Sequence, residues 1–332
     1  MLFETLKKAG INGFIIGILA AVLIAFSYQP AFIEDILINI KNITNIGVSV
    51  IFFFYGIGLD RKVLQSDLSN FRLHSLIQIT TFLFFPLVAL FIINILPTDF
   101  NPLLKTGIFF LACLPSTVSS SVVMVSISGG NITSAIFNAT LSSLMGVFIT
   151  PLLMSLYLHS NPQESLAITG VILQLIYQIL APLILGVLIQ EKLSKLYKIN
   201  KTRLKLFDQT IILLIIYQSF AESFHKQLFS DILLSNILAI GGISILLFFS
   251  TMGILKAITS YLNFDEKDYK TVLFCGSKKS LVHGTTMSKV IFSGSQFAGI
   301  YLLPIMIYHA SQLIIGGFIA ESMAAKLQKN KQ

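Results

Sequence analysis

Charge is what this sequence has least of. Asp, Glu, Lys and Arg make up only 11% of its 332 residues, against about 25% in an ordinary soluble domain. So few charges do not cover the surface of a water-soluble globule of this length. Tryptophan is absent, and the two cysteines, Cys113 and Cys275, both lie in apolar surroundings. Such a pair gives neither a disulfide framework nor the spacing of a zinc site, so free thiols are expected. The five histidines lie far apart, and Glu222 and Glu321 are the acids within or near apolar runs. Clustered metal ligands or acid–base pairs are therefore missing, which excludes most membrane enzymes; no cofactor is expected.

What the chain has instead is apolar residues, 55% of the total, in long continuous runs such as Ile11–Ser27 and Leu73–Leu96. In lipid every span must satisfy its own backbone hydrogen bonds, which helices and closed barrels do. Barrel strands alternate polar and apolar residues over about ten positions; these runs do not alternate, so membrane lipid around a helical bundle is the expected setting. At about 20 apolar residues per span, the runs fall near 10–28, 43–59, 73–97, 105–128, 131–158, 166–190, 209–229, 234–257, 271–292 and 296–324. The expected class is an all-α polytopic membrane protein of about ten transmembrane helices. Lys7 and Lys8 ahead of the first run resemble a signal peptide, but no small-x-small cleavage site follows Phe26. A retained first helix is expected, with no soluble domain at either end.

The net charge of +8 does not point to nucleic acid, because the basic residues gather between apolar runs. With a cytoplasmic N-terminus, seventeen Lys and Arg fall on the inner side and only Lys41, Lys105 and Lys226 on the outer. The positive-inside rule then places both termini in the cytoplasm and the protein in the plasma membrane. Glu191–Asp208, the most charged stretch, reads as a solvated cytoplasmic loop. Nothing in the sequence specifies an oligomeric state.

A weak repeat appears at an offset of 162 residues. It aligns Ile51–Tyr55 with Leu213–Tyr217, Asp60 with Glu222 and Cys113 with Cys275. Halves of five spans each, 1–160 and 161–332, would run oppositely through the membrane. Inverted repeats of this kind mark secondary transporters that bind near the midplane through broken helices.

Two segments carry the chemistry. In Cys113-Leu-Pro-Ser-Thr-Val-Ser-Ser-Ser121, Pro115 removes a backbone donor, while Ser116, Thr117, Ser119, Ser120 and Ser121 supply hydroxyls to a broken helix. The alternative is a proline kink whose serines bond their own backbone. In Cys275-Gly-Ser-Lys-Lys-Ser-Leu-Val-His283, two lysines and a histidine enter a span, where ionisable residues are functional candidates. Lys278 is close enough to the interface to snorkel. Lys279 lies nine residues past Lys270, or about 13 Å along a helix, and is expected to be buried. Ser280 and His283 complete this candidate set. Thr81, with Gln78 and Thr80, and Asn138 and Thr140 are further candidate ligands. His309 and Gln312 could face the second segment. His74, His159 and His225 are expected at the interface.

At these segments the sequence resembles the bile acid–sodium symporter superfamily, in its SBF-like branch, over almost the whole chain. The resemblance rests on Phe71-Arg-Leu-His74 to Phe84-Phe-Pro86, Leu114–Ser121 through Gly129-Gly-Asn131, Phe274–Leu281 and Leu303-Pro-Ile-Met-Ile-Tyr-His309. It implies two inverted five-helix repeats, with broken helices 4 and 9 crossing each other. Spans 1, 2, 6 and 7 would form a panel, and spans 3–5 and 8–10 a core. It implies secondary transport of a small organic anion, coupled to sodium in the better-known members. Those members carry a glutamate and then a glutamine in the ninth helix, where this chain has Lys279 and His283. The serine–asparagine pair of their fourth helix reads Ser121-Val122 here. An ammonium repels sodium, so sodium coupling is not expected. Lys279 should take over the sodium ion's electrostatic role by donating to carbonyls and hydroxyls of the crossing segment, with Ser119–Ser121 nearest by the repeat. Alternatively it releases its proton, which would make the chain a proton-coupled antiporter; a non-transporting membrane regulator is a third reading. The orientation is checked at Lys198. An impermeant thiol reagent should leave Lys198→Cys unlabelled in intact cells and label it after permeabilisation.

Overall fold

The computed structural model describes residues 13–28, 33–58, 70–159, 173–174, 176–230 and 232–329. Lys7, Lys8, Asp60, Arg61, Lys62 and the Asn161-Pro162 turn lie outside the described residues. Twelve helices are labelled in chain order: α1 Gly13–Ser27, α2 Ile33–Gly58, α3 Phe71–Ile95, α4 Pro102–Cys113, α5 Ser119–Ser128, α6 Ile132–His159, α7 Ala181–Ile199, α8 Lys201–His225, α9 Leu234–Tyr261, α10 Glu266–Gly276, α11 Leu281–Ile291 and α12 Ala298–Lys329. No strand occurs among the described residues.

Among the described residues seven helices are long and apolar enough to cross a membrane: α2, α3, α6, α7 with the turn before it, α8, α9 and α12. The distribution of side chains is the inverse of a soluble protein's. Leu19, Phe91, Leu152, Leu188 and Leu238 are each more than half exposed, whereas Gln78, Asn138, Lys278, Lys279 and Gln312 are buried. A greasy exterior around a polar interior suits a hydrocarbon solvent. The chain is an all-helical, multi-pass membrane protein.

Local chemistry sets the helix ends. Asn101 caps α4 by accepting from Leu103 N (2.9 Å), with Pro102 at the first helical position. Asp265 caps α10 by accepting from Asp268 N at 2.7 Å. Gly129, at φ 74°, ends α5, and Gly130 N returns to Val125 O. Helix α2 starts at Ile33, well before the expected 43, because Glu34 and Asp35 occupy its first turn, the positive end of the dipole. The Glu191–Asp208 stretch is not a loop. Its Lys, Leu and Glu residues favour helix, so α7 runs to Ile199 and α8 restarts at Lys201 after one turn residue, Asn200.

The helices pack in two groups. In one, α1 and α2 pack on α8, and α2 packs on α7; α3–α6 and α9–α12 make the other. Where α2 meets α7 the backbones touch. A Cβ on Gly56 would meet Leu183 O and lie 3.0 Å from Gly186 Cα, and one on Gly186 would meet Phe53 O. In the second group, the Asp268 carboxylate accepts from Asn70 Nδ2 (2.6 Å) and Asn131 Nδ2 (3.0 Å), tying together the starts of α3, α6 and α10. Small residues at helix contacts are the usual means of close packing in lipid. Gly186→Val should therefore lower stability by about 1–3 kcal/mol through overpacking. Gly253→Ala, which meets nothing within 4 Å, should be neutral. Thermal melting in detergent separates the two.

Candidate functional site

Two interruptions define the centre of the second helix group. Pro115 disfavours helix at the residue before it, and Leu114 is extended at φ −71°, ψ 150°. Helix α4 thus ends at Cys113 and α5 begins at Ser119. The second interruption has no proline. It follows Gly276 and spans Ser277–Ser280, with Ser280 capping α11 by accepting from His283 N at 3.3 Å. The two gaps face each other, since Ser280 N donates to Pro115 O (2.9 Å) and Ser116 Oγ to Cys275 O (2.6 Å).

An interrupted helix frees carbonyls that lipid cannot satisfy, and several of them have a partner. Cys113 O accepts from Thr150 Oγ1 at 2.7 Å, and Ser277 O from Tyr308 Oη at 2.7 Å. Gln312 holds the Lys279 peptide from both sides. Its Oε1 accepts from Lys279 N (2.8 Å) and its Nε2 donates to Lys279 O (2.7 Å). Its Nε2 also pairs with His309 Nδ1 at 2.9 Å. Lys279 Nζ donates to Thr81 O (2.7 Å), Ala112 O (2.6 Å) and Leu114 O (2.8 Å), and sits 4.2 Å from the centre of the Phe85 ring. All three ammonium donors are used, two of them on the negative end of α4, with a cation–π contact beneath.

Several expectations need correction. The partners of Lys279 are backbone carbonyls, not the serines. Ser120 Oγ and Ser121 Oγ pair with Thr117 Oγ1 at 2.6 and 2.9 Å, because α5 winds these hydroxyls into its own first turn. The side chain of Ser119 lies outside those described. Thr81 contributes its carbonyl, while its hydroxyl bonds Ile77 O. Asn138 belongs to a separate cluster, accepting from Gln78 Nε2 (3.2 Å) and pairing with His74 Nδ1 (2.8 Å). His74, near the start of α3, is buried among its neighbours. Lys278 does not snorkel; it is fully buried. Thr140 donates to Ile136 O of its own helix and keeps its place on the wall of the cavity between the two helix groups.

Between the two helix groups lies a cavity of about 540 Å³, within the range of small-molecule sites. One wall carries Thr117, Ser120, Met124, Thr140, Ser280, His283 and His309, and the facing wall Phe52, Tyr55, Leu183, Tyr197, Asp208 and Ile212. His283 Nδ1 meets Ser280 Oγ at 3.0 Å, its ring lies 5.4 Å from that of Tyr55, and its enclosed Nε2 has no hydrogen-bond partner among the described residues. The facing wall escaped the sequence reading. Its residues sit in ordinary apolar runs or in the charged stretch read as solvated, and nothing local marks them. If Gln312 holds the break, Gln312→Leu should strand the Lys279 N–H and C=O at about 1–3 kcal/mol each. A large drop in melting temperature is expected, whereas Thr140→Val should change little.

The chain is similar to known proteins over most of its length. The model of the SBF-like CPA transporter family matches residues 12–325. An uncharacterized protein of Pseudomonas aeruginosa is 32% identical, covering 95% of this chain and 93% of its own length. An Escherichia coli protein named "Putative symporter YfeH" is 31% identical over 93% of this chain and 92% of its own. A Danio rerio protein named sodium/bile acid cotransporter 7 is 31% identical over 85% and 84%. The chain belongs to the SBF-like CPA transporter family, a family of transporters and not of enzymes.

Proposed function

We propose that the chain is a secondary transporter of a small organic anion that works without sodium coupling. The observation that carries this reading is the Lys279 ammonium on three carbonyls and the Phe85 ring. A cluster of convergent carbonyls at the end of a broken helix is a cation site. Here the cation is covalently attached, and the oxygens that an alkali ion would need are taken. The sodium in the Danio rerio relative's name is therefore not carried over; the organic anion is.

The order of elements supports two inverted repeats, 1–160 and 161–332. Helix α5 starts at Ser119 and α11 at Leu281, 162 residues apart, and α3 and α9 start at Phe71 and Leu234, 163 apart. Counting α4–α5 and α10–α11 as one broken pass each gives ten passes, five in each half. Helices α1, α2, α7 and α8 act as the panel, and the remaining group as the core. In the plasma membrane, with both termini cytoplasmic, the end bearing Tyr197, Lys205 and Glu321 faces inward, so the cavity they line is open to the cytoplasm. The opposite end is closed by panel–core contacts: Lys289 Nζ with Gln218 Oε1, and Ser223 Oγ donating to Gln296 O at 3.1 Å. Transport is a rocking of core against panel that breaks these contacts and seals the inner mouth. The anion's head lies at the start of α11, where the helix dipole favours negative charge. Ser280 and His283 stand beside it, and the apolar body lies along Phe52 and Leu183.

The test needs no known substrate. Replacing N-methylglucamine chloride by sodium chloride at equal ionic strength should leave the wild-type melting temperature unchanged. Lys279→Glu, which sets a carboxylate beside the Thr81, Ala112 and Leu114 carbonyls, should gain sodium-dependent stabilisation. Sodium-dependent stabilisation of the wild type overturns the uncoupled reading. In reconstituted vesicles, uptake from a panel of organic anions, bile acids among them, should be indifferent to sodium and fall roughly tenfold or more in Lys279→Met. Absence of flux across the whole panel overturns the carrier reading.

A further inference from the structure

Lys278 is next to Lys279 in sequence but meets a different environment. Its side chain is fully buried, and among the described residues its Nζ reaches one acceptor, the Met124 sulfur. An ammonium carries three donors, and a thioether is a weak acceptor. Lys279 has every donor matched to a carbonyl; Lys278 does not. A buried cation left so poorly matched is unfavourable, and in a membrane protein it marks function more often than architecture.

Met124 gives the position its meaning. It touches Lys278 and also lines the cavity between the helix groups, on the same wall as Thr117 and Ser120. Room for the pair comes from Gly316, where an added Cβ would lie 2.9 Å from Met124 Sδ and 3.5 Å from Lys278 Nζ. Methionine is unbranched and repacks readily, and its side chain touches both the ammonium and the cavity. The charged residues on the cavity wall are Lys205, Asp208 and Glu321, a set that does not favour an anion. With Lys279 engaged by carbonyls, a cation for the substrate must come from elsewhere.

We propose that Lys278 supplies the positive charge that draws the anionic group of the transported molecule, a carboxylate or sulfonate, to the start of α11, and that Met124 is a movable cover between this ammonium and the cavity. The inference rests on the reading of the chain as an organic-anion carrier, but its test does not require a transported substrate. In the full-length protein, Cys113→Ala and Cys275→Ala remove the native thiols and Met124→Cys places one at the cover. Cys-directed methanethiosulfonates bearing a sulfonate or a trimethylammonium group are then compared. The ratio of their rates reports the local charge and cancels the reactivity of the thiol. Adding Lys278→Met, which keeps most of the stem and removes the charge, should lower the anion-to-cation rate ratio about tenfold. An unchanged ratio, or a thiol that neither reagent reaches, overturns the proposal. A lowered ratio combined with no flux of any anion would leave the charge assignment standing and count against the carrier reading alone.

Discussion

The interaction on which the rest of this structure depends is the one between a lysine ammonium and the carbonyl end of an interrupted helix. Hydrocarbon gives no water to an open backbone group, so a helix broken inside a membrane needs internal partners. Here they are supplied across the two breaks. Thr150, Tyr308, Ser116 and Gln312 each hold a freed backbone group, and Lys279 alone holds three. Charge and backbone solve each other's problem, since the ammonium needs acceptors and the carbonyls need donors. Neither is tolerable alone at that depth.

Much of this was legible in the sequence, and the reasons are specific. Pro115 among hydroxyls announced the first break, and the Gly276-Ser-Lys-Lys-Ser280 run announced the second, although no proline marks it. That Lys279 is buried followed from counting residues along a helix. Carbonyls of the crossing segment are among its expected acceptors, and those of Ala112 and Leu114 are the ones used, while the serine hydroxyls nearest by the repeat pair with Thr117 instead. Nothing local in the sequence marks which carbonyls serve, and the same holds for the facing wall of the cavity. Phe52 and Tyr55 look like any other members of an apolar run, and only packing brings them opposite His283.

The charged stretch around Asn200 shows a different failure. Charge density was taken as a sign of loop, yet Lys, Glu and Leu are good helix formers, and the helices simply extend past the apolar zone. Asn138 shows another. Its position in the sequence suggests a cavity lining, whereas it pairs with His74 and with Gln78 inside the second helix group.

The Asp268 carboxylate, shared between Asn70 and Asn131, has a mechanical meaning. It pins three helix entrances at one end of the second group, while Gln312 and Lys279 pin its centre. A body fastened at two levels resists bending and turns as one piece, like a lever with a stiff arm. In the proposed rocking of core against panel, force applied at its contact with α2 or α8 would pass through such a body to its far end, so that slight sliding at the panel would become a larger displacement at the mouths.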